Sequence, residues 1–287
     1  MWHSRWKAVI FWAFCLFFLY PAALHPAGEP EFYVRHPELV QEGEPFLLKI
    51  GRPAALENLR VIWLEKSIPL KVPGRQVELL LPVPLASQGE LPLRIVSAKG
   101  ELYSAGITVR QKEFGAQNLT VEPKFVAPPE AERARIAQER DTVRKIYATV
   151  TPRKYFSLPL QRPLPGVITS EFGVRRLFNG EQRSRHMGLD FRGAEGSEVR
   201  AIAAGRVVLA ADHYYPGLMV IVDHGQGVYS TYMHLSAFKT EVGQFLNPGD
   251  LVGLVGKTGR VTGPHLHLDF VVQGERQSPE PFMPDLR

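Results

Sequence analysis

The chain of 287 residues holds one cysteine, Cys15. It falls inside an amino-terminal stretch that reads as an export signal, so the processed chain carries no thiol. Disulfides and thiolate metal ligands are excluded on that reading, and any metal must be held by nitrogen and oxygen. The excess of one sign of charge over the other is also small. The formal balance is +5, and losing Arg5 and Lys7 with the signal leaves +5 − 2 = +3. Such mild basicity is compatible with an anionic polymer without requiring one. Arginine-aromatic interleaving is missing, which argues against nucleic acid as a partner. From about residue 160 onward no helical period of useful length occurs, which leaves strands and turns.

The export reading rests on the basic start at Arg5 and Lys7, the apolar stretch from Ala8 to Leu19, and the small residues Pro21, Ala22 and Ala23. The apolar stretch is shorter than the ~20 residues of a spanning helix. Residues 1–27 are therefore expected to be a signal peptide or an uncleaved anchor, with membrane contact only in the second case. Trp12-Ala13-Phe14 before Cys15 does not form a lipobox.

Gly and Pro are abundant, 25 and 24 residues, which favours short strands over long helices. The expected fold is mainly β. Residues 28–120 read as a small Ig-like β-sandwich: Phe46, Leu48 and Ile50 share one strand face, and apolar runs recur at 59–64, 77–83, 91–96 and 102–109. Residues 121–160 read as a linker. It holds one amphipathic helix after Pro128-Pro129, with Ile136, Val143, Ile146 and Tyr147 on its apolar side and an Asp141–Lys145 pair on its surface. Residues 161–287 read as an antiparallel β domain with sharp corners, and 17 of the 25 glycines lie between Gly166 and Gly274. Its strand-like runs are 199–211, 218–222, 228–233, 251–255 and 266–272.

Six of the nine histidines fall between His186 and His267. In His265-Leu-His267 both imidazoles face one side of a strand and Leu266 and Leu268 the other, with Asp269 on the histidine side. His186 and Asp190, four apart, also share a face, and Gly188 between them favours an extended or turning path. Tyr232 and His234 share a face near the end of another strand. Each pattern alone is weak. Together, in one glycine-rich β domain, they point to a metal held by three groups with an open position, and to surplus imidazoles that move protons. The implied chemistry is metal-assisted hydrolysis. Spacing does not say which histidine binds metal and which moves protons.

From about Pro165 to Phe282, roughly 40% of the chain, the sequence resembles the M23 (lysostaphin- and LytM-like) zinc metallopeptidases. The matching segments are Thr169-Ser-Glu-Phe-Gly173, His186-Met-Gly-Leu-Asp190, Val199-Arg-Ala-Ile-Ala-Ala-Gly-Arg-Val207, Tyr232-Met-His-Leu-Ser236, Gly243-Gln-Phe-Leu-Asn-Pro-Gly249 and Thr262-Gly-Pro-His-Leu-His267, in the family's order. The resemblance implies that His186, Asp190 and His267 hold one zinc ion and that His234 and His265 are the catalytic pair. It implies an antiparallel sheet carrying the site in a groove between loops. It also implies a peptidoglycan peptide as substrate, and hence an exported protein of a bacterial periplasm or cell envelope. The preferred bond is a D-alanyl–diaminopimelate cross-link, with a glycine bridge or an L,D bond left open.

The competing function is a non-catalytic wall-binding regulator of another hydrolase, against which the five intact residues argue. A cupin-like metal site would need a further histidine after His267, and none follows. The basic stretch 175–185 reads as a groove wall or a solvated loop. His213 reads as a loop residue, His224 as hairpin support and His36 as unpartnered. Asp269 reads either as the partner that orients an imidazole or as a cross-strand residue. Nothing in the sequence fixes the oligomeric state.

Overall fold

The computed structural model describes residues 32–51, 58–70 and 76–283; the expected export segment, with Cys15, lies outside them. The fold is mainly β with a single α-helix among the described residues, as expected.

Two sheets face each other in the amino-terminal part. One has the strands Tyr33–Arg35, Phe46–Gly51 and Gln76–Leu81; the other has Leu39–Gln41, Gly100–Arg110, Gly89–Ser97, Arg60–Trp63 and Lys66–Pro69 in that spatial order. Alternation fills the space between them. Phe46, Leu48 and Ile50 from the first sheet meet Val61, Trp63, Leu93 and Ile95 from the second. Each aliphatic side chain fully buried there contributes about 1.5–3 kcal/mol. Trp63 lies edge-on to Phe46 at 5.2 Å and donates its indole N–H to Pro82 O at 2.7 Å, so its polar atom is satisfied in the core. One pairing departs from the antiparallel rule: Leu39–Gln41 runs parallel to Gly100–Arg110. Leu80, on the outer side of the first sheet, joins the core of the carboxy-terminal part, and Val83 N donates to Gln277 Oε1 at 2.8 Å.

The helix Glu130–Ala148 begins directly after Pro129, as the proline pair predicts. Tyr147 is buried, and Val143 and Ile146 pack beside it against Met219, Ile221, Tyr229 and Val271 of the large sheet. The Tyr147 hydroxyl shares a 2.6 Å hydrogen bond with Thr231 Oγ1. Asp141 pairs with Arg144 at 3.2 Å, an i,i+3 contact, rather than with Lys145.

The large sheet is antiparallel throughout. Its spatial order is Ile168–Ser170, Leu189–Arg192, His265–Val272, Val228–Phe238, Gly217–Gly225, Gly205–His213 and Phe245–Leu246, with Glu198–Arg200 and Leu251–Val255 paired beside it. The expected run 199–211 is two strands, Glu198–Arg200 and Gly205–His213. Ala201, Ile202 and Ala203 turn the corner while at most 2% exposed, so an apolar corner reads like continuous strand in the sequence.

The stretch 175–185 is no solvated loop. Arg175–Phe178 and Glu181–Arg185 form a hairpin, and Ala116–Leu119 pairs with its first strand in parallel. Asn179 fixes that junction: its Oδ1 accepts from Val121 N at 3.0 Å and its Nδ2 donates to Val121 O at 3.1 Å.

Candidate active site

The strand His265–Val272 sends Leu266, Leu268 and Phe270 into the core and leaves His265, His267 and Asp269 on the opposite side. Asp190 stands directly across from His267 in the neighbouring strand. His186 arrives from the segment between the hairpin and that strand. Gly188 lets it come close: a Cβ there would lie 2.5 Å from Leu268 O and 2.6 Å from His267 Nε2.

Three donor atoms converge. His186 Nε2 lies 3.0 Å from Asp190 Oδ1 and 3.0 Å from His267 Nδ1, and His267 Nδ1 lies 2.8 Å from Asp190 Oδ1. All three residues are buried and form a group able to hold a metal ion. Their remaining atoms are committed elsewhere. His186 Nδ1 donates to Glu171 O at 2.7 Å, and His267 Nε2 donates to Asp269 Oδ1 at 2.7 Å. A carbonyl or carboxylate oxygen only accepts, so these contacts fix the protons and turn the other ring nitrogens toward the centre. Arg176 holds Asp190 Oδ2, which leaves Oδ1 to the histidines.

His265 Nε2 lies 3.7 Å from Asp190 Oδ1, and its Nδ1 donates to Gly263 O at 2.9 Å. The His234 ring stands 4.9 Å from the His265 ring and 6.0 Å from the His267 ring, and its Nδ1 donates to Thr258 O at 2.9 Å. Strict alternation would put His234 with Tyr232, and this expectation fails. Tyr232 is in the core, where its hydroxyl accepts from Ile202 N at 2.9 Å. His234 has φ +62°, at an irregularity in the strand pairing, and this left-handed step swings the imidazole into the cleft.

Charge follows burial and neighbours. Burial pushes the His186 and His265 imidazoles below their usual range. Burial, with His265 and His267 nearby, pushes His234 down to about 3. Burial raises the Asp190 carboxyl, but the close imidazoles of His186 and His267 outweigh it and hold it well below the carboxylate range. Burial likewise lowers His267, but Asp269 and Asp190 more than offset it and lift it to about 9.

The five residues line one cleft of about 480 Å³, together with Arg176 and Arg260. A larger cavity, about 1030 Å³, lies between the helix and the sheet and holds none of the five. His213 lines that cavity; expected in a loop, it ends the strand Gly205–His213 and is 7% exposed. His224 supports the hairpin as expected, donating Nδ1–H to Ala204 O at 2.8 Å with Nε2 on Ser230 Oγ at 2.7 Å. Asp269 proves to be the orienting partner of His267. His36 is not unpartnered: its Nε2 meets Tyr103 Oη at 2.7 Å. Sequence reasoning missed Arg176, Thr258 and Arg260. Only the basic character of 175–185 hinted at the first.

Residues 184–279 match the model of Peptidase family M23. The chain is 41% identical over 108 residues to the peptidoglycan DD-endopeptidase ShyA of Vibrio cholerae serotype O1, covering 37% of this chain and 25% of that protein. It is 34% identical over 121 residues to the murein hydrolase activator EnvC of Escherichia coli, covering 42% of this chain and 28% of that protein. It thus spans about a quarter of the length of these curated relatives. The crystal structure of a putative peptidase M23 from Pseudomonas aeruginosa superposes with a TM-score of 0.64 at 28% identity, over 84% of this chain and 93% of that one. The carboxy-terminal part of the chain, residues 184–279, thus carries a domain of peptidase family M23.

Proposed function

We propose that the protein is a zinc-dependent endopeptidase that hydrolyses peptide cross-links of peptidoglycan. One observation carries the reading: two ring nitrogens and one carboxylate oxygen meet within 3.0 Å of one another while their other polar atoms are fixed by separate partners. A tetrahedral zinc ion with bonds of ~2.1 Å separates its donor atoms by roughly 3.4 Å. The donor set and its spacing fit such an ion after a small outward relaxation. Two nitrogens and one oxygen, with no thiolate among the described residues, are the ligands of a hydrolytic rather than a structural zinc site.

His186, Asp190 and His267 would hold the metal. Zinc bound there supplies Lewis acidity toward a carbonyl and toward water. Arg176 keeps Asp190 on one oxygen, and Asp269 keeps His267 turned inward. His234 and His265 are neutral near pH 7, because burial disfavours their charged forms. Each carries its proton on Nδ1, pinned to a backbone carbonyl, so Nε2 is the free acceptor. One of them takes the proton of the attacking water, and that proton then goes to the departing amine.

The likeness to a DD-endopeptidase supports a D-alanyl–diaminopimelate bond as the one cut. A wall substrate in turn supports an exported enzyme of the periplasm or cell envelope. The second reading, a non-catalytic regulator of another hydrolase, draws on the likeness to EnvC. The complete set of five residues favours hydrolysis. Mass spectrometry of sacculus fragments, with and without a chelator, tests it. Chelator-sensitive release of cleaved cross-links is the expected result, and unchanged fragments from metal-loaded protein would refute it.

A further inference from the structure

Arg260 stands in the wall of the cleft with its guanidinium carbon 4.5 Å from the centre of the Phe178 ring and 4.8 Å from that of Tyr215. Its backbone N–H donates to Tyr215 O at 2.8 Å, which fixes the root of the side chain. It lies two residues after Thr258, whose carbonyl holds His234, and five before His265. Burial pushes its pKa down, and the other charged or polar neighbours acting on it are Tyr215 and Arg176; no carboxylate is among them. Among the described residues no ion pair or side-chain hydrogen bond engages this guanidinium.

The rest of the cleft makes that isolation more telling. Two aspartates line it, and both are committed: Asp190 to Arg176 and Asp269 to Arg276. Arg185, Arg192 and Arg260 add positive charge that these aspartates do not offset. A half-desolvated cation held without an anion loses hydration and recovers only part of it from aromatic faces. A planar guanidinium on two rings is also pre-organised for two parallel hydrogen bonds to a carboxylate.

We propose that Arg260 is the anchor of a carboxylate subsite, which binds a free carboxylate of a stem-peptide residue next to the scissile bond. The inference rests on the peptidase reading and adds a charge requirement to it: the enzyme distinguishes free from amidated stem peptides. The bland alternative is a strut that only props Phe178 against Tyr215.

The test uses the full chain loaded with zinc and two synthetic cross-linked stem dimers, one with that carboxylate free and one with it amidated. The wild-type protein is expected to prefer the free acid at least tenfold in kcat/KM, mainly through KM. Arg260→Gln should remove the preference, and Arg260→Lys should keep part of it. Fluorescence anisotropy with labelled forms of the same two peptides reads binding without turnover. Should neither dimer be cut, the hydrolytic reading fails. A tenfold tighter binding of the free acid that needs Arg260 would still sustain the subsite. Equal binding and equal cleavage of the two peptides by wild type, or an unchanged preference in Arg260→Gln, would overturn it. The wild-type comparison needs no variant to fold.

Discussion

Asp269 accepts a 2.7 Å hydrogen bond from His267 Nε2, two positions back along the same strand. That contact decides which nitrogen of His267 faces Asp190 and His186. Arg276 Nε donates to the other carboxylate oxygen at 2.8 Å, so the carboxylate is held from both sides. Asp269→Asn should therefore lower zinc affinity about 10–100-fold, the usual effect of losing such a partner. Competition against a chelator of known affinity measures it. An unchanged affinity would mean that the ring is oriented by something else.

His186→Ala and Asp190→Ala each remove one of three converging donors. Both variants are expected to purify without metal and to lose hydrolysis, as read by elemental analysis and sacculus digestion. Stoichiometric zinc in either would show that the ligand set is different.

His234→Ala leaves all three donors in place. Zinc content should stay at wild-type level while turnover falls roughly 10²–10⁴-fold, the range for a lost general acid or base. Wild-type turnover would remove His234 from the chemistry.

At Gly188 an added methyl meets Leu268 O at 2.5 Å and His267 Nε2 at 2.6 Å. Backbone on one side and a fixed imidazole on the other leave little room to yield. Gly188→Ala should cost about 1–3 kcal/mol and reduce bound metal. Thermal unfolding with and without zinc would reveal both; a melting temperature and metal content like those of wild type would contradict the packing argument.

His224 is fully buried, and burial pushes its pKa from 6.5 down to about 4. The unfolded chain therefore takes up a proton first as pH falls. The stability linked to this residue is complete above pH 6.5, declines toward pH 4 and then levels off. A shift of this size corresponds to roughly 3 kcal/mol. His186, His234 and His265 shift in the same direction. Urea unfolding of wild type and His224→Gln across this range isolates the share of His224, and the variant should show the shallower slope. Parallel slopes would refute the assignment.

Much of this was legible in the chain. Period two placed His265, His267 and Asp269 on one side and Leu266 and Leu268 on the other, and the structure keeps that division because the strand is regular there. The proline pair and the apolar spacing located the helix Glu130–Ala148. Local rules hold wherever the backbone follows one repeat. They fail where it breaks: at Ala201 to Ala203, whose buried corner mimics a strand, and at His234, whose positive φ reverses the side it faces.

The sequence by itself determined the chemistry available: imidazoles, a carboxylate, no thiol beyond Cys15, and strands spaced by glycine turns. Tertiary structure decided which nitrogens point inward, through Glu171 O, Gly263 O, Thr258 O and Asp269. It also brought Arg176 to Asp190 and left Arg260 between two aromatic rings. The reason is that a hydrogen bond acts over about 3 Å, whereas these partners come from different strands and turns, and only packing sets which of them meet.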